Sequence, residues 1–462
     1  MTSEAFEPAE FARTFQEFLD AFRQLVPPAR NEIRELVTAH LGYDPRGLPS
    51  FSEQFDPAEH QNLQLAFNEM ATPRNWSVIG LPGDARNYGG FSLVALLAGR
   101  FAGAIGPASP EFINLPISAR ATLPCLLSGL FLAYLDDEPV VALLMSAVDR
   151  GPREGLSLEV LARDEGTVRA FLTRVRERMQ ALDVYRGKLL AFTYSEWGRV
   201  GLGFVELPAV TSDEIVLPAE ALDAMERHTV GVSERADALV AAGQHLKRGL
   251  LLYGPPGTGK TYSVMYLCNC MPGRTTVMLT GPATHALGRA MAVARNLQPS
   301  MVVLEDVDLV ATDRDRPGMD ENPLLFQLLN EMDGLASDAD IVFVLTTNRV
   351  DILEPALSAR PGRIDQAIEI GLPDAHDRRR LLDLYLRAVP CDAGNLDAIA
   401  ARMEGASAAF VKELVRRATI AATDVGATPG VVRDEHLDVA LADLIEHSAP
   451  ITRAILGAAP SG

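Results

Sequence analysis

Residues Gly254-Pro255-Pro256-Gly257-Thr258-Gly259-Lys260-Thr261 spell Gly-x-x-x-x-Gly-Lys-Thr, a set of residue types suited to holding a polyphosphate. The glycines allow the backbone to turn its N–H groups inward, and a helix starting at the lysine adds its positive end. Lys260 is placed to reach the β- and γ-phosphates, the Thr261 hydroxyl to ligate Mg²⁺, and Tyr262 follows directly in the nucleotide-contacting set. The flanks agree: an apolar run, Leu250-Leu251-Leu252-Tyr253, precedes the loop, and a helical stretch from Tyr262 to Met271 follows it. Lysine is scarce. Of 42 lysines and arginines only Lys188, Lys247, Lys260 and Lys412 are lysine, a bias compatible with a GC-rich bacterial genome.

Binding a nucleotide does not by itself hydrolyse it. Hydrolysis needs carboxylates at the end of a second buried strand, and Met301-Val302-Val303-Leu304-Glu305-Asp306 offers two. One acid would orient the Mg²⁺ shell and the other would activate the attacking water. A further apolar run ends in Thr346-Thr347-Asn348, and the Asn348 amide is suited to sense the γ-phosphate or position water. An ordinary acidic turn after a strand is the plainer alternative for the acid pair.

Several longer stretches carry a family resemblance. Phe326-Gln327-Leu328-Leu329-Asn330-Glu331-Met332-Asp333-Gly334, Thr347-Asn348-Arg349, Glu354-Pro355-Ala356-Leu357 and Arg360-Pro361-Gly362-Arg363-Ile364-Asp365 resemble the second region of homology of AAA ATPases. Gly405-Ala406-Ser407 is similar to the first turn of that family's small-domain helix. The likeness covers about residues 216–450. It implies an ATP-hydrolysing homo-oligomeric ring, usually a hexamer, with ATP and Mg²⁺ held by Lys260, Thr261 and Glu305. It also implies that Asn348 is a sensor, and that Arg360 and Arg363 reach a neighbouring subunit's site, where a guanidinium fork spreads phosphate charge. A surface ion pair is the alternative for Arg363.

Two departures from the family pattern bear on mechanism. The acids run Glu305-Asp306 instead of Asp-Glu, which puts Glu305 at the metal-side position and the shorter Asp306 at the water-activating one. The segment between Gly281-Pro282 and Pro299-Ser300 is also shorter than in peptide-threading members. It reads Ala283-Thr284-His285-Ala286-Leu287-Gly288-Arg289, without the aromatic residue that grips a threaded chain. His285 is expected to be a solvated loop residue. Both departures resemble the mitochondrial Rieske-protein translocase type, whose membrane span has no expected counterpart here. No His-Glu-x-x-His occurs in this sequence, which excludes a fused zinc-protease site of that type.

These residues need a scaffold. Strands at Gly249–Tyr253, Thr275–Leu279, Met301–Leu304 and Ile341–Thr346, separated by helical stretches, predict a parallel sheet covered on both faces. The fold class is therefore α/β, a P-loop NTPase sheet with a C-terminal helical lid, preceded by an α+β domain. The boundaries fall at 1–48 (helical segment), 49–212 (α+β client or partner domain), 213–372 (large ATPase domain), 373–450 (helical small domain) and 451–462 (tail). Within the first half, Phe11, Phe15, Phe18, Leu19, Phe22 and Leu25 are at helical spacing before a Pro-Pro break, and residues 91–101 form a further helical candidate. Leu127–Tyr134 and Pro139–Ser146 flank Asp136-Asp137-Glu138 as a hairpin. Leu156–Ala162, helix Asp164–Leu182 and Lys188–Tyr194 suggest a β-α-β unit. No chemistry is legible in this half: Trp76 and Trp197 read as core, and the acidic triplet as a solvated turn.

Composition is that of a globular protein, 48% apolar and 22% charged, with net charge −19. The acidity disfavours nucleic-acid binding. Cys125, Cys268, Cys270 and Cys391 match no zinc spacing and are expected to be buried free thiols. The acidic N-terminus lacks a signal peptide's features. The longest uncharged apolar stretch, Ala121–Leu135, falls short of the roughly 20 residues a membrane span needs. A cytoplasmic protein without a membrane span is expected, with an unknown client protein engaged through residues 1–212.

Overall fold

The computed structural model describes residues 11, 13–18, 21, 31–71, 76–81, 92–98, 106–147, 155–194, 200–308, 323–336, 338–349, 351, 363–423 and 430–447. The chain divides into two compact units, Met1–Val184 and Tyr185–Gly462.

The first unit is built on an antiparallel sheet of six strands. These are β1 (Ser50–Phe55), β2 (Ser77–Gly80), β3 (Glu111–Pro116), β4 (Thr122–Leu135), β5 (Glu138–Ala147) and β6 (Gly155–Leu161), in the order β1-β6-β5-β4-β2 with β3 also beside β4. Strand alternation sends successive side chains to opposite faces. Leu130, Leu132, Val141 and Leu143 meet α1 (Glu32–Leu41) and α3 (Leu93–Ala98) on one face. Phe131, Ala133, Val140, Ala142 and Leu144 meet α2 (His60–Met70) and α4 (Glu165–Ala181) on the other. The apolar run read as the first arm of a hairpin is β4, hydrogen-bonded to β5 through a tight turn with Asp136 and Asp137 at φ 47° and 71°. Trp76 packs against Phe67, Phe131 and Phe171 in this core. Trp197 lies outside the described residues.

Helix α2 escaped sequence reading because its inner face is polar. His60, Gln61, Asn62 and Gln64 are all buried. β5 pairing of β4 ends at Ser128, and beyond it the backbone of Leu126 bonds to α2 instead. Its N–H donates to Gln64 Oε1 (2.9 Å), and its carbonyl meets His60 Nε2 (2.9 Å). The helix therefore completes the sheet's hydrogen bonding, which no apolar periodicity announces.

The second unit holds a seven-stranded sheet in the order β13-β9-β12-β11-β10-β7-β8. Its strands are β7 (Leu189–Tyr194), β8 (Val200–Phe204), β9 (Arg248–Tyr253), β10 (Thr275–Leu279), β11 (Ser300–Leu304), β12 (Ile341–Thr347) and β13 (Gln366–Glu369). All neighbours are parallel except β8, which runs antiparallel to β7. The apolar runs are buried on both faces. Leu251, Val277, Val302 and Phe343 pack under α9 (Leu287–Asn296) and α10 (Pro323–Asp333), while Leu250, Met278, Val303 and Val344 pack under α5 (Ala219–His228) and α8 (Lys260–Cys270). Helices α6 (Val230–Ser233) and α7 (Ala236–Ala241) connect α5 to β9. A separate helical core follows, from α11 (Ala375–Leu386), α12 (Leu396–Arg402), α13 (Ala408–Ala422) and α14 (Asp434–Ala442), around Leu382, Phe410, Leu414 and Leu437.

Two sequence expectations are corrected here. Strand β6 pairs antiparallel with β1 and β5 in the first sheet, whereas β7 pairs parallel with β10 in the second, so β6, α4 and β7 form no β-α-β unit. The division at Val184/Tyr185 also precedes the expected one at 212/213, because β7 and β8 extend the second unit's sheet. The cysteines need a correction too. All four are free, but Cys391 is exposed and Cys270 only half-buried. Among the described residues no helix is long and apolar enough to cross a membrane.

Candidate functional site

Lys260, Glu305, Asp306 and Asn348 converge at the carboxyl ends of β9, β11 and β12, where an open parallel sheet offers a ligand crevice. The loop leaving β9 turns through glycines in conformations other residues resist. Gly254, Gly257 and Gly259 have φ of 145°, 75° and 106°. A Cβ at Gly254 would stand 2.2 Å from the Ile370 carbonyl oxygen, so the loop is pressed against the chain leaving β13. Gly259 precedes α8 without a side-chain cap, which leaves the first-turn N–H groups directed along the helix axis.

Lys260 is 6% exposed, and its Nζ donates to the loop's own carbonyls, Gly254 O (2.9 Å) and Pro255 O (2.8 Å). Burial pushes its ammonium below the usual lysine range, and the nearby Asp306 and Asp308 carboxylates oppose that shift. Thr258 is buried and ties its hydroxyl to Pro255 O (2.9 Å), bracing the loop from inside. Pro256, Thr261 and Tyr262 are exposed on its rim.

The acid pair sits two strands away. Glu305 continues β11 by donating its N–H to Leu279 O (3.0 Å), and its buried Oε1 has no hydrogen-bond partner among the described residues. Asp306 then swings into the left-handed region at φ 48°, a conformation uncommon outside glycine. Its N–H donates to Thr346 Oγ1 (3.1 Å), and its Oδ1 accepts from Asn348 Nδ2 (3.1 Å). The sensor candidate and the water-activating candidate are therefore in direct contact.

Sequence reading missed Asp308. It is 5% exposed, and its Oδ1 accepts from both the Thr347 hydroxyl (2.8 Å) and the Asn348 N–H (3.2 Å). The signal was available in the alternation Asp306-Val307-Asp308, where a buried Val307 separates two acids. Thr347 also links the parts, since its carbonyl accepts from the Gly254 N–H (3.3 Å).

The helical region reaches the same loop. Gly405 at φ 75° leads into Ser407, whose side chain caps α13 by accepting from Phe410 N (3.3 Å). The Ala409 N–H then donates to Gly257 O (3.0 Å), and a Cβ on Gly257 would lie 2.9 Å from Ser407 Oγ.

Arg363 is held away from this cluster. Its guanidinium forks onto Asp333 at the end of α10, with Nε to Oδ1 at 2.7 Å and Nη2 against Oδ2. Its carbonyl oxygen lies 2.2 Å from where a Cβ on Gly249 would stand, and Asp365 brackets Gly249 with two bonds of 2.8 Å. Arg360 lies outside the described residues. The segment Gly281–Ala286 is a 3₁₀ helix leading into α9, with Ala283, Ala286 and Leu287 in the sheet's core. His285 is exposed, on this helix and not on the loop that was expected.

Phosphate loop, acid-tipped strand and polar strand end in this sheet order define a P-loop nucleotide-binding domain. Residues 250–372 match the family model described as ATPase family associated with various cellular activities (AAA). They are an AAA ATPase domain. The chain is 34% identical over 189 residues to 26S proteasome regulatory subunit 6A of Encephalitozoon cuniculi, covering 38% of this chain and 47% of that one. It is 33% identical over 215 residues to ATP-dependent zinc metalloprotease FtsH 2 of Sphaerobacter thermophilus, covering 44% and 31%. With 26S proteasome regulatory subunit 8 homolog of Schizosaccharomyces pombe it shares 35% identity over 179 residues, covering 36% and 44%. The chain spans less than half the length of each of these relatives.

Proposed function

We propose that this protein is an ATPase that works as a homo-oligomeric ring, hexameric by analogy with its family, and remodels a client protein complex. The observation that carries this reading is the convergence of Lys260, Glu305–Asp306 and Asn348 at neighbouring strand ends. The residues fit ATP and Mg²⁺. Three loop glycines hold the positive φ values that a phosphate-wrapping turn requires, and among the described residues the buried Glu305 Oε1 has no hydrogen-bond partner, as a group waiting for a metal shell would.

On this reading the loop 254–259 and the first turn of α8 bind the phosphates. Lys260 gives up its two loop carbonyls for the β- and γ-phosphates. Thr261 and Glu305 hold Mg²⁺, which neutralises phosphate charge when bound. Asp306 accepts the proton of the attacking water, and its contact with Asn348 orients both polar groups. Arg360 and Arg363 act on the neighbouring subunit's nucleotide, for which Arg363 exchanges Asp333 for phosphate. Helical packing of Ala283, Ala286 and Leu287, with no aromatic residue nearby in sequence, supports remodelling without an aromatic grip on a threaded chain. The first unit, residues 1–184, selects the client, and the site of action is the cytoplasm.

Lys260→Ala is expected to remove ATP turnover, a loss of at least about a hundredfold. Full turnover in that variant would overturn the reading. Glu305→Gln and Asp306→Asn, assayed separately, distinguish the metal-side acid, whose loss raises the Mg²⁺ requirement, from the water-activating acid, whose loss lowers kcat alone. A second reading is favoured by the Arg363–Asp333 fork: an ATP-gated assembly switch whose finger stays sequestered. Turnover slower than about 0.01 s⁻¹ with ATP-dependent oligomerisation would select it.

A further inference from the structure

We propose that Asp308 is a positioning residue for hydrolysis, a buried clamp that fixes the Asn348 amide against Asp306. The inference rests on the hydrolytic reading above and concerns how its site is held in register.

The clamp is reciprocal. From β12 toward β11, the Asn348 side chain donates to Asp306 Oδ1 (3.1 Å), and the Thr346 hydroxyl accepts the Asp306 N–H (3.1 Å). From β11 toward β12, one oxygen of Asp308 takes the Thr347 hydroxyl (2.8 Å) and the Asn348 N–H (3.2 Å). Each of three consecutive residues, Thr346, Thr347 and Asn348, is thereby tied to the acidic turn. The Asn348 side chain reaches Asp306 from a backbone that Asp308 itself holds.

The physical need for such a clamp is visible in Asp306. Its backbone at φ 48° is one that surrounding structure must impose. Val307 is buried beside it, and Asp308, at 5% exposure, anchors the far side of that turn. A carboxylate is suited to the task because one ionised oxygen can accept two donors and bind each more strongly than a neutral acceptor. Asp308 also faces Lys260 and Arg349 electrostatically, so its charge is balanced across the same cluster. Its two hydrogen bonds run to the end of β12, not to the phosphate loop. It acts through Asn348.

The test uses the full chain, with steady-state ATPase kinetics and binding of a fluorescent ATP analogue. Asp308→Ala should lower kcat at least about tenfold, while KM and analogue affinity stay within about threefold. Thr347→Val, which removes one of the two donors without changing shape, should give a smaller loss of the same kind. Asp308→Asn keeps an oxygen acceptor and should restore most of kcat. Because Asp308 acts through Asn348, Asp308→Ala added to Asn348→Ala should cost little more than Asn348→Ala alone. Multiplying effects, or a raised KM with unchanged kcat, would overturn the clamp while leaving Lys260-dependent turnover intact. A wild-type protein without Lys260-dependent turnover would overturn the hydrolytic reading and the clamp with it.

Discussion

Lys260 carries the site's most consequential charge, and its surroundings make that charge titratable. Burial holds its ammonium below the ordinary 10.5, with Asp306 and Asp308 opposing. Phosphate oxygens beside it would raise its pKa in the ATP-bound state. A group whose pKa rises on binding gives full affinity below its free-state pKa, and loses that contribution as pH climbs through it. ATP affinity is therefore expected to fall on the alkaline side, starting below the range of an exposed lysine. Fluorescent-nucleotide titrations between about pH 7 and 10 read this directly, and Lys260→Arg should flatten the decline because guanidinium does not titrate there. The buried cysteines behave oppositely: burial pushes Cys268 up to about 11, and Cys125 in the other unit up to about 12, so neither is a ready thiolate.

At the scale of elements, the strands of the second sheet are aligned from the end opposite the nucleotide site. Arg248 opens β9, Arg274 precedes β10, Ser300 opens β11 and Asp340 precedes β12. Arg274 donates to both Asp340 oxygens (3.0 and 2.9 Å) and to the Ser300 carbonyl (2.9 Å). Arg248 lies 3.7 Å from the same carboxylate, and both guanidinium groups donate to Ser233 Oγ. Burial, with Arg274 as a like charge, pushes Arg248 down to about 10 despite Asp340. One carboxylate thus serves two buried cations. Asp340→Ala would strand both, and a destabilisation of about 3–5 kcal/mol is expected, measured by urea unfolding. Exposed pairs such as Arg402–Asp438 should contribute under about 1 kcal/mol, so the same experiment on Asp438→Ala is the control.

For the whole molecule, the boundary between units has a practical consequence. Strand β10 is buried along its length and is flanked by β11 and β7. A fragment starting at residue 213 lacks β7 and β8, which uncovers β10 as an apolar edge, a template for aggregation. A fragment of residues 185–462 keeps that edge covered. The longer fragment should be soluble and bind ATP, whereas the shorter should aggregate or melt at least about 5 °C lower. Equal melting temperatures and solubility would show that β7 and β8 are dispensable to the sheet.

The chemistry legible in the residues alone is local. The Gly254–Thr261 loop, the Glu305-Asp306 strand end and Asn348 are short motifs, readable because their residues lie close together in sequence, and four central strands are legible as apolar runs because both their faces are buried. Whatever depends on partners far along the chain was settled only by folding. The fold assigned β7 to a sheet whose other parallel strands begin at Arg248, turned the polar side of α2 inward to finish β4's hydrogen bonds, gave Arg363 its fork on Asp333, and placed Asp308 under Asn348. Burial of a polar side chain is set by which backbone groups need a partner, and that need exists only once the strands have met.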